Sequence, residues 1–412
     1  MSAAAPREEL LARAVALRPA LIEAAPETER RAYCPEWLHH EFLDAGFYRM
    51  LVPRRYGGLE VGIEAFHEVV IELAAGDVGT AWGVCLASAH AMHVATLFDE
   101  PVQAELFGDG EFRCPAVAAP AGSARRVAGG WEISGTWGYC SGAPYATHFL
   151  GQTFEAGGDR PGQILLFIVG RSQWQMLDDW GDTLGLRGSG SHSLRLDGAR
   201  VPSAHVLEGT WMVDTDTRNA PGPRIHGNPL YAGRTLAIFQ AELGALALGG
   251  VRGALERYAE IARTRMTQRP PIVARHLDPD YQRWYGSAIA RAHCAQALLL
   301  AVARHWTELG RRQLEEGRPF TRADDLRLNT VAREALNFAW AAMQEDLFRT
   351  AGTSATRAGE RIERIFRDVA TDWGHFGNIA RDWSARELAR ERLGVAPMTA
   401  ARPDRGREAM DR

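Results

Sequence analysis

Lysine is absent from this 412-residue chain: all 47 basic residues are arginine. That excludes chemistry built on a primary amine, namely Schiff-base catalysis, pyridoxal-phosphate attachment and the P-loop. An anion held here is held by arginine forks, backbone N–H groups or helix N-termini. Cysteine is scarce. The five (Cys34, Cys85, Cys114, Cys140, Cys294) lie far apart, and no two form a C-x-x-C pair. An odd, scattered set makes no disulfide framework. An excess of charge is also lacking: 51 acidic residues stand against 47 basic ones, a net charge of −4. No basic field recruits nucleic acid. No apolar run approaches the ~20 residues of a membrane span. The first residues, MSAAAPREELLARA, carry early acids and an amphipathic rhythm, unlike a secretory leader. The expectation is a reduced, soluble, cytoplasmic protein without membrane, nucleic acid or metal.

What is present is a globular composition, 46% hydrophobic and 24% charged, on a chain long enough for several domains. Leu10, Leu11, Ala14, Leu17, Leu21 and Ile22 recur at helical spacing. Further helices are predicted near 35–45, 63–75, 79–97 and 101–107, with Gly57-Gly58 and Gly76-Asp77 as breaks. From Glu111 the pattern changes to short Gly-, Trp- and β-branched runs with turn signals, as at Gly129-Gly130 and Asp197-Gly198. After a Pro/Gly/Asn-rich loop near 219–229, helical periodicity returns over 232–266, 279–316, 322–349 and 358–392, the last broken near Gly374 and Gly377. Long helices with short connections pack as an antiparallel bundle. The expected fold is α+β and multidomain: an N-terminal helical domain (1–110), a middle β-domain (111–218) and a C-terminal four-helix bundle (219–412).

The segment from Leu184 to Ser193 holds Gly185, Gly188 and Gly190, then a strand and a D-G turn. Such glycines permit tight turns and close ligand approach, and no strand–loop–helix frame makes them a dinucleotide fingerprint. The segment and the helix–β–helix order, over about residues 7–394, resemble the acyl-CoA dehydrogenase superfamily. That resemblance implies a flavin between β-domain and bundle, and a homotetramer built as a dimer of dimers. Dehydrogenases of this family need a glutamate base, commonly in a Glu-Gly-Thr triplet after an Arg-Asp pair. Here Arg367-Asp368 is followed by Val-Ala-Thr-Asp-Trp-Gly-His375, with no glutamate. The alternative base position reads Tyr231-Ala-Gly-Arg234, and Glu242 lies about two turns further on.

Arg367-Asp368 with His375 instead resembles the flavin-dependent monooxygenase (hydroxylase) branch, the oxygenase halves of two-component systems. The resemblance implies that a separate NAD(P)H:flavin reductase supplies reduced FMN or FAD. It implies that O2 then forms a C4a-hydroperoxide that hydroxylates or N-oxygenates a small aromatic or natural-product substrate. It also implies roles for individual residues. In Gly135-Thr136-Trp137-Gly138-Tyr139-Cys140-Ser141-Gly142, the stretch from Trp137 would lie against the isoalloxazine ring and the Ser141 hydroxyl would guard N5. Gly79-Thr-Ala-Trp82 leads to His90, which would orient or deprotonate the substrate. His375 would sit at the flavin edge. Arg263 or Arg265 would bind the flavin phosphate, commonly across a subunit interface.

These assignments fit elementary chemistry. A serine hydroxyl holds N5 without acting as a strong acid. A histidine shares a phenol or amine proton near neutral pH. An arginine grips phosphate bidentately. The residue types alone also allow Ser141 as a turn serine, His90 and His93 as core histidines, His375 as a helix cap, and Arg263 and Arg265 as solvated helix charges. Cys114-Pro-Ala116 replaces a serine that helps hold the phenol oxygen in phenol hydroxylases of the branch, which argues against 4-hydroxyphenylacetate as the substrate. Two competing readings stand beside this one: an acyl-CoA dehydrogenase or flavin oxidase with Glu242 as a displaced base, and a non-catalytic flavin-fold scaffold.

Overall fold

The computed structural model describes residues 4–395, apart from 109 and 159. Five helices come first: α1 (Ala4–Arg31), α2 (Glu36–Ala45), α3 (Ile63–Gly76), α4 (Val78–Leu97) and α5 (Glu100–Phe107). The turn between α3 and α4 is set by Asp77. Its carboxylate accepts the Thr80 backbone N–H at 2.8 Å and the Thr80 hydroxyl at 2.6 Å, an N-cap that starts α4. Every residue of α4 except Leu86 is buried. A helix apolar on all sides belongs in a core, and α4 runs through the middle of the molecule.

Eight strands follow: β1 (Ala116–Val117), β2 (Ser123–Val127), β3 (Gly130–Trp137), β4 (His148–Phe154), β5 (Ile164–Gly170), β6 (Gln175–Met176), β7 (Leu194–Pro202) and β8 (Val206–Glu208). They form two four-stranded sheets, ordered β1-β4-β5-β8 and β2-β3-β7-β6. Only the β1–β4 pair is parallel. Strand β7 alternates, with Leu194, Leu196 and Val201 inward and Arg195, Arg200 and Pro202 exposed. The inward residues meet Trp131, Trp137, Phe149 and Phe167 in a core between the sheets.

The second helical part contains α6 (Leu236–Thr264), α7 (Pro279–Glu316), α8 (Arg322–Ala341), α9 (Arg361–Trp373) and α10 (Phe376–Arg392). Helix α8 runs on through a π-helical stretch, Ala342–Phe348. The helix expected over 358–392 breaks at Gly374-His375, where the His375 ring accepts the Gly377 N–H at 3.2 Å. One core joins both helical parts, since buried residues of α3, α4 and α6 pack together. An 18-residue window of α7 has a mean hydropathy of 1.3 and reaches the length and apolarity of a membrane span, contrary to the sequence expectation. In the fold it is a bundle helix, with Arg291 bonded to Asp346 at 2.9 Å.

Candidate active site

After β3 the chain turns sharply through Tyr139 (φ 61°) and Gly142 (φ 82°). The Ser141 N–H reaches Tyr139 O at 3.0 Å, and the Gly142 N–H reaches Ser189 O at 3.0 Å. A Cβ at Gly142 would stand 2.8 Å from Gly83 O, so the turn lies directly on α4. There Ser141 Oγ accepts the Trp82 indole N–H at 2.9 Å. It also lies 2.8 Å from Ser191 Oγ, which lies 2.6 Å from Ser189 Oγ. The result is a buried row of three hydroxyls ending on an indole N–H.

The glycine-rich segment docks this turn onto the bundle. The Leu186 N–H donates to Asp368 Oδ1 at 2.6 Å. A Cβ at Gly185 would sit 2.1 Å from Arg367 O, so only glycine fits there. The two motifs recognised in the sequence thus meet. Seven residues past Asp368, His375 occupies the α9–α10 break with its ring edge-on to Trp82, centroids 5.6 Å apart. His375 is partly open to solvent. Crowding on the others and the nearby Arg333 charge push its pKa down to about 4. Arg333 is itself buried and donates to Gln240 Oε1 at 2.5 Å.

His90 lies eight residues beyond Trp82, about 12 Å along α4. Its Nδ1 stands 2.8 Å from Cys114 O. A carbonyl only accepts, which puts the proton on Nδ1 and leaves Nε2 as an acceptor. Burial holds its pKa down at about 4. His93 stacks on Phe239 with centroids 4.5 Å apart. Neither His93 ring nitrogen has a partner, and burial pushes its pKa to about 3.

Two carboxyl groups complete the surroundings. Glu242 of α6 is 1% exposed, and Asp372 of α9 is fully buried. None of their four oxygens has a hydrogen-bond partner. Both act electrostatically on the Cys85 thiol of α4. Burial raises Glu242 to about 8 and raises Asp372 well above the carboxylate range despite the pull of Arg333.

Of the residues singled out in the sequence, Ser141 and His375 meet Trp82, and Gly142 packs on the next residue of α4, Gly83. Tyr139 is 75% exposed, its ring edge-on to Trp180. Trp137 and Cys140 are buried in the β-domain rather than beside Trp82. The Trp137 ring fills the sheet core beside Phe149 and Phe167, with its N–H on Gln152 O at 2.8 Å. Cys140 is fully buried, its thiol on Trp137 O. Arg263 and Arg265 stand at the far end of α6, about 35 Å along the helix from Gln240. The sequence reading overlooked Ser189, Ser191, Phe239, Arg333 and Asp372. The placement of Ser189 and Ser191 on either side of Gly190, and of Asp372 one turn before His375, was the available signal.

The residue types suit a flat, largely apolar ring with a polar edge. The hydroxyl of Ser141 and the neutral imidazole of His375 are each preceded or followed closely in the chain by an exposed aromatic residue, Tyr139 and Phe376, the latter 67% exposed. No group of three metal-ligating side chains occurs among the described residues.

Comparison with known proteins identifies relatives over most of the chain. Family models described as acyl-CoA dehydrogenase, N-terminal domain and C-terminal domain match residues 8–105 and 241–378. A pigment production hydroxylase of Rhodococcus sp. (strain ATCC 21145) is 31% identical over 377 residues, covering 88% of this chain and 91% of the relative. The oxygenase subunit HsaA of a flavin-dependent monooxygenase from Rhodococcus jostii (strain RHA1) is 27% identical over 369 residues, covering 88% and 93%. Among solved structures, XiaF from Streptomyces sp. in complex with FADH2 and glycerol superposes with a TM-score of 0.87 at 22% identity, covering 96% and 98%, and so shares the fold.

Proposed function

The chain belongs to the acyl-CoA dehydrogenase family, and from that premise we propose that it is the oxygenase component of a two-component flavin-dependent monooxygenase, acting on an aromatic substrate with reduced FMN or FAD and O2. The carrying observation is the Ser141–Trp82–His375 assembly at the junction of β-domain and bundle. Bound reduced flavin supplies two electrons, with which O2 gives one atom to the substrate and the other to water.

The protein's part is positioning and water exclusion. Ser141 offers its hydroxyl to the ring edge, and the Trp82 N–H fixes that oxygen. Tyr139 and Phe376 supply apolar cover. His375, held neutral, is a poor acid toward the ring. His90 accepts or shares the substrate proton through Nε2. Arg263 or Arg265 of a neighbouring copy grips the phosphate, which makes the working unit an oligomer, expected as a homotetramer. The reduced flavin comes from a separate NAD(P)H:flavin reductase. Five free thiols suit a reducing, cytoplasmic setting.

The dehydrogenase alternative needs an ionised base that reaches a thioester. Burial instead biases Glu242 toward its neutral form, a poor base for that step. The test is oxygen consumption with chemically reduced FMN or FAD and a panel of phenols. Wild type is expected to couple oxygen uptake to product. Ser141→Ala should release at least about ten-fold more hydrogen peroxide per oxygen consumed, equivalent to about 1.4 kcal/mol. Bleaching of oxidised flavin by acyl-CoA without oxygen would overturn this reading.

A further inference from the structure

A buried polar group normally has a partner, and one without demands an explanation. Glu242 is such a group, with both carboxyl oxygens unpartnered at 1% exposure. It lies one turn past Phe239 on α6. The Phe239 ring stacks on His93 and comes within 5.8 Å of the His90 ring. A Cβ at Gly250 of α6 would stand 2.9 Å from Val78 Cγ2 of α4, so with Phe239 beside His90 and His93 the two helices run antiparallel, and Glu242 falls along the stretch of α4 that holds Cys85. It therefore stands between the residue expected to meet the substrate and the assembly around Ser141. His93 and Asp372, also buried, have no hydrogen-bond partner either. Among the described residues no side chain is hydrogen-bonded to either Glu242 oxygen.

We propose, resting on the oxygenase reading above, that Glu242 is a specificity-determining residue that hydrogen-bonds a neutral hydroxyl or ring N–H of the aromatic substrate. A neutral carboxyl both donates and accepts, so it matches a phenol or heteroaromatic N–H. A carboxylate-bearing ring would carry an anion into this buried site at the cost of its desolvation, and is disfavoured. The discrimination comes from the site: a substrate lacking the polar group leaves Glu242 unpaired.

Calorimetric binding of phenol, toluene and benzoate tests this, without oxygen and with reduced FMN present, in wild type, Glu242→Gln and Glu242→Leu. Wild type is expected to bind phenol at least about ten-fold tighter than toluene, and benzoate weakest. Glu242→Gln should keep the phenol preference, and Glu242→Leu should bring the ratio near one. The proposal falls if wild type shows no phenol preference, or if Glu242→Leu retains it. A folding control accompanies the binding data. Removing a buried carboxyl without a hydrogen-bond partner should leave Glu242→Leu at least as heat-stable as wild type; a large fall in Tm would reveal an internal partner and overturn the proposal. Failure of the oxygenase reading shows itself separately, as wild type that never couples reduced flavin and oxygen to product whatever the binding ratios.

Discussion

Trp82 donates its indole N–H to Ser141 Oγ across 2.9 Å while its ring stands edge-on to His375. One side chain of the central helix thus ties the turn after β3 to the break between α9 and α10. Because the indole fills one acceptor position of the Ser141 hydroxyl, the serine proton is left for Ser191 or for a group outside the row. Trp82→Phe keeps the buried ring and removes the donor. It is expected to cost about 1 kcal/mol of stability in urea unfolding. It should also raise hydrogen peroxide release, by less than Ser141→Ala does. A variant that lost stability but coupled oxygen as well as wild type would show the bond to be structural only.

Acid stability depends on the buried histidines. His67 of α3 is fully buried, neither ring nitrogen has a partner, and burial lowers its pKa to about 4 from the ordinary 6.5. The unfolded chain binds this proton below about pH 6.5 and the folded chain only below about 4, so folding loses stability as pH falls between them. His90 and His93 slope the same way, with lower limits of about 4 and 3. Each pH unit in the window is worth roughly 1.4 kcal/mol per group. His67→Leu, remote from Ser141, should flatten the fall in urea midpoint between pH 6.5 and 4 and leave oxygen coupling unchanged. An unaltered pH slope would mean that His67 is not held neutral.

Much of this was legible in the residues. The Gly76-Asp77 punctuation correctly separated α3 from α4, because an aspartate there caps the next helix. Gly374 marked the break that His375 caps. Local pattern runs out where the chain turns. Strand alternation puts Trp137 and Tyr139 on one side, and both were read as cofactor contacts. The positive φ at Tyr139 turns that ring outward and leaves Trp137 in the core. Glu242 falls on the core face of α6, yet sequence cannot say whether a buried carboxyl finds a partner on α4. Ser189 and Ser191 were hidden inside a segment read only for its glycines.

The last prediction concerns how many chains build one site. Arg263 and Arg265 lie about 20 Å or more along α6 beyond Gly250, which packs on Val78 one turn before Trp82. If they serve a neighbour's site, each site mixes two chains. A chain carrying Arg263→Ala and Arg265→Ala and a chain carrying Ser141→Ala are then both defective alone. In a mixed oligomer, one site inherits both defects and another inherits none. Co-expressing the two with different tags and purifying the hybrid should recover a fraction of wild-type coupling that neither parent shows. If every site were built within one chain, no hybrid site would be free of a defect, and coupling would stay at the parental level. The outcome separates a shared phosphate grip from helix-end arginines that are merely solvated, because only the first makes one chain's arginine repair another chain's site.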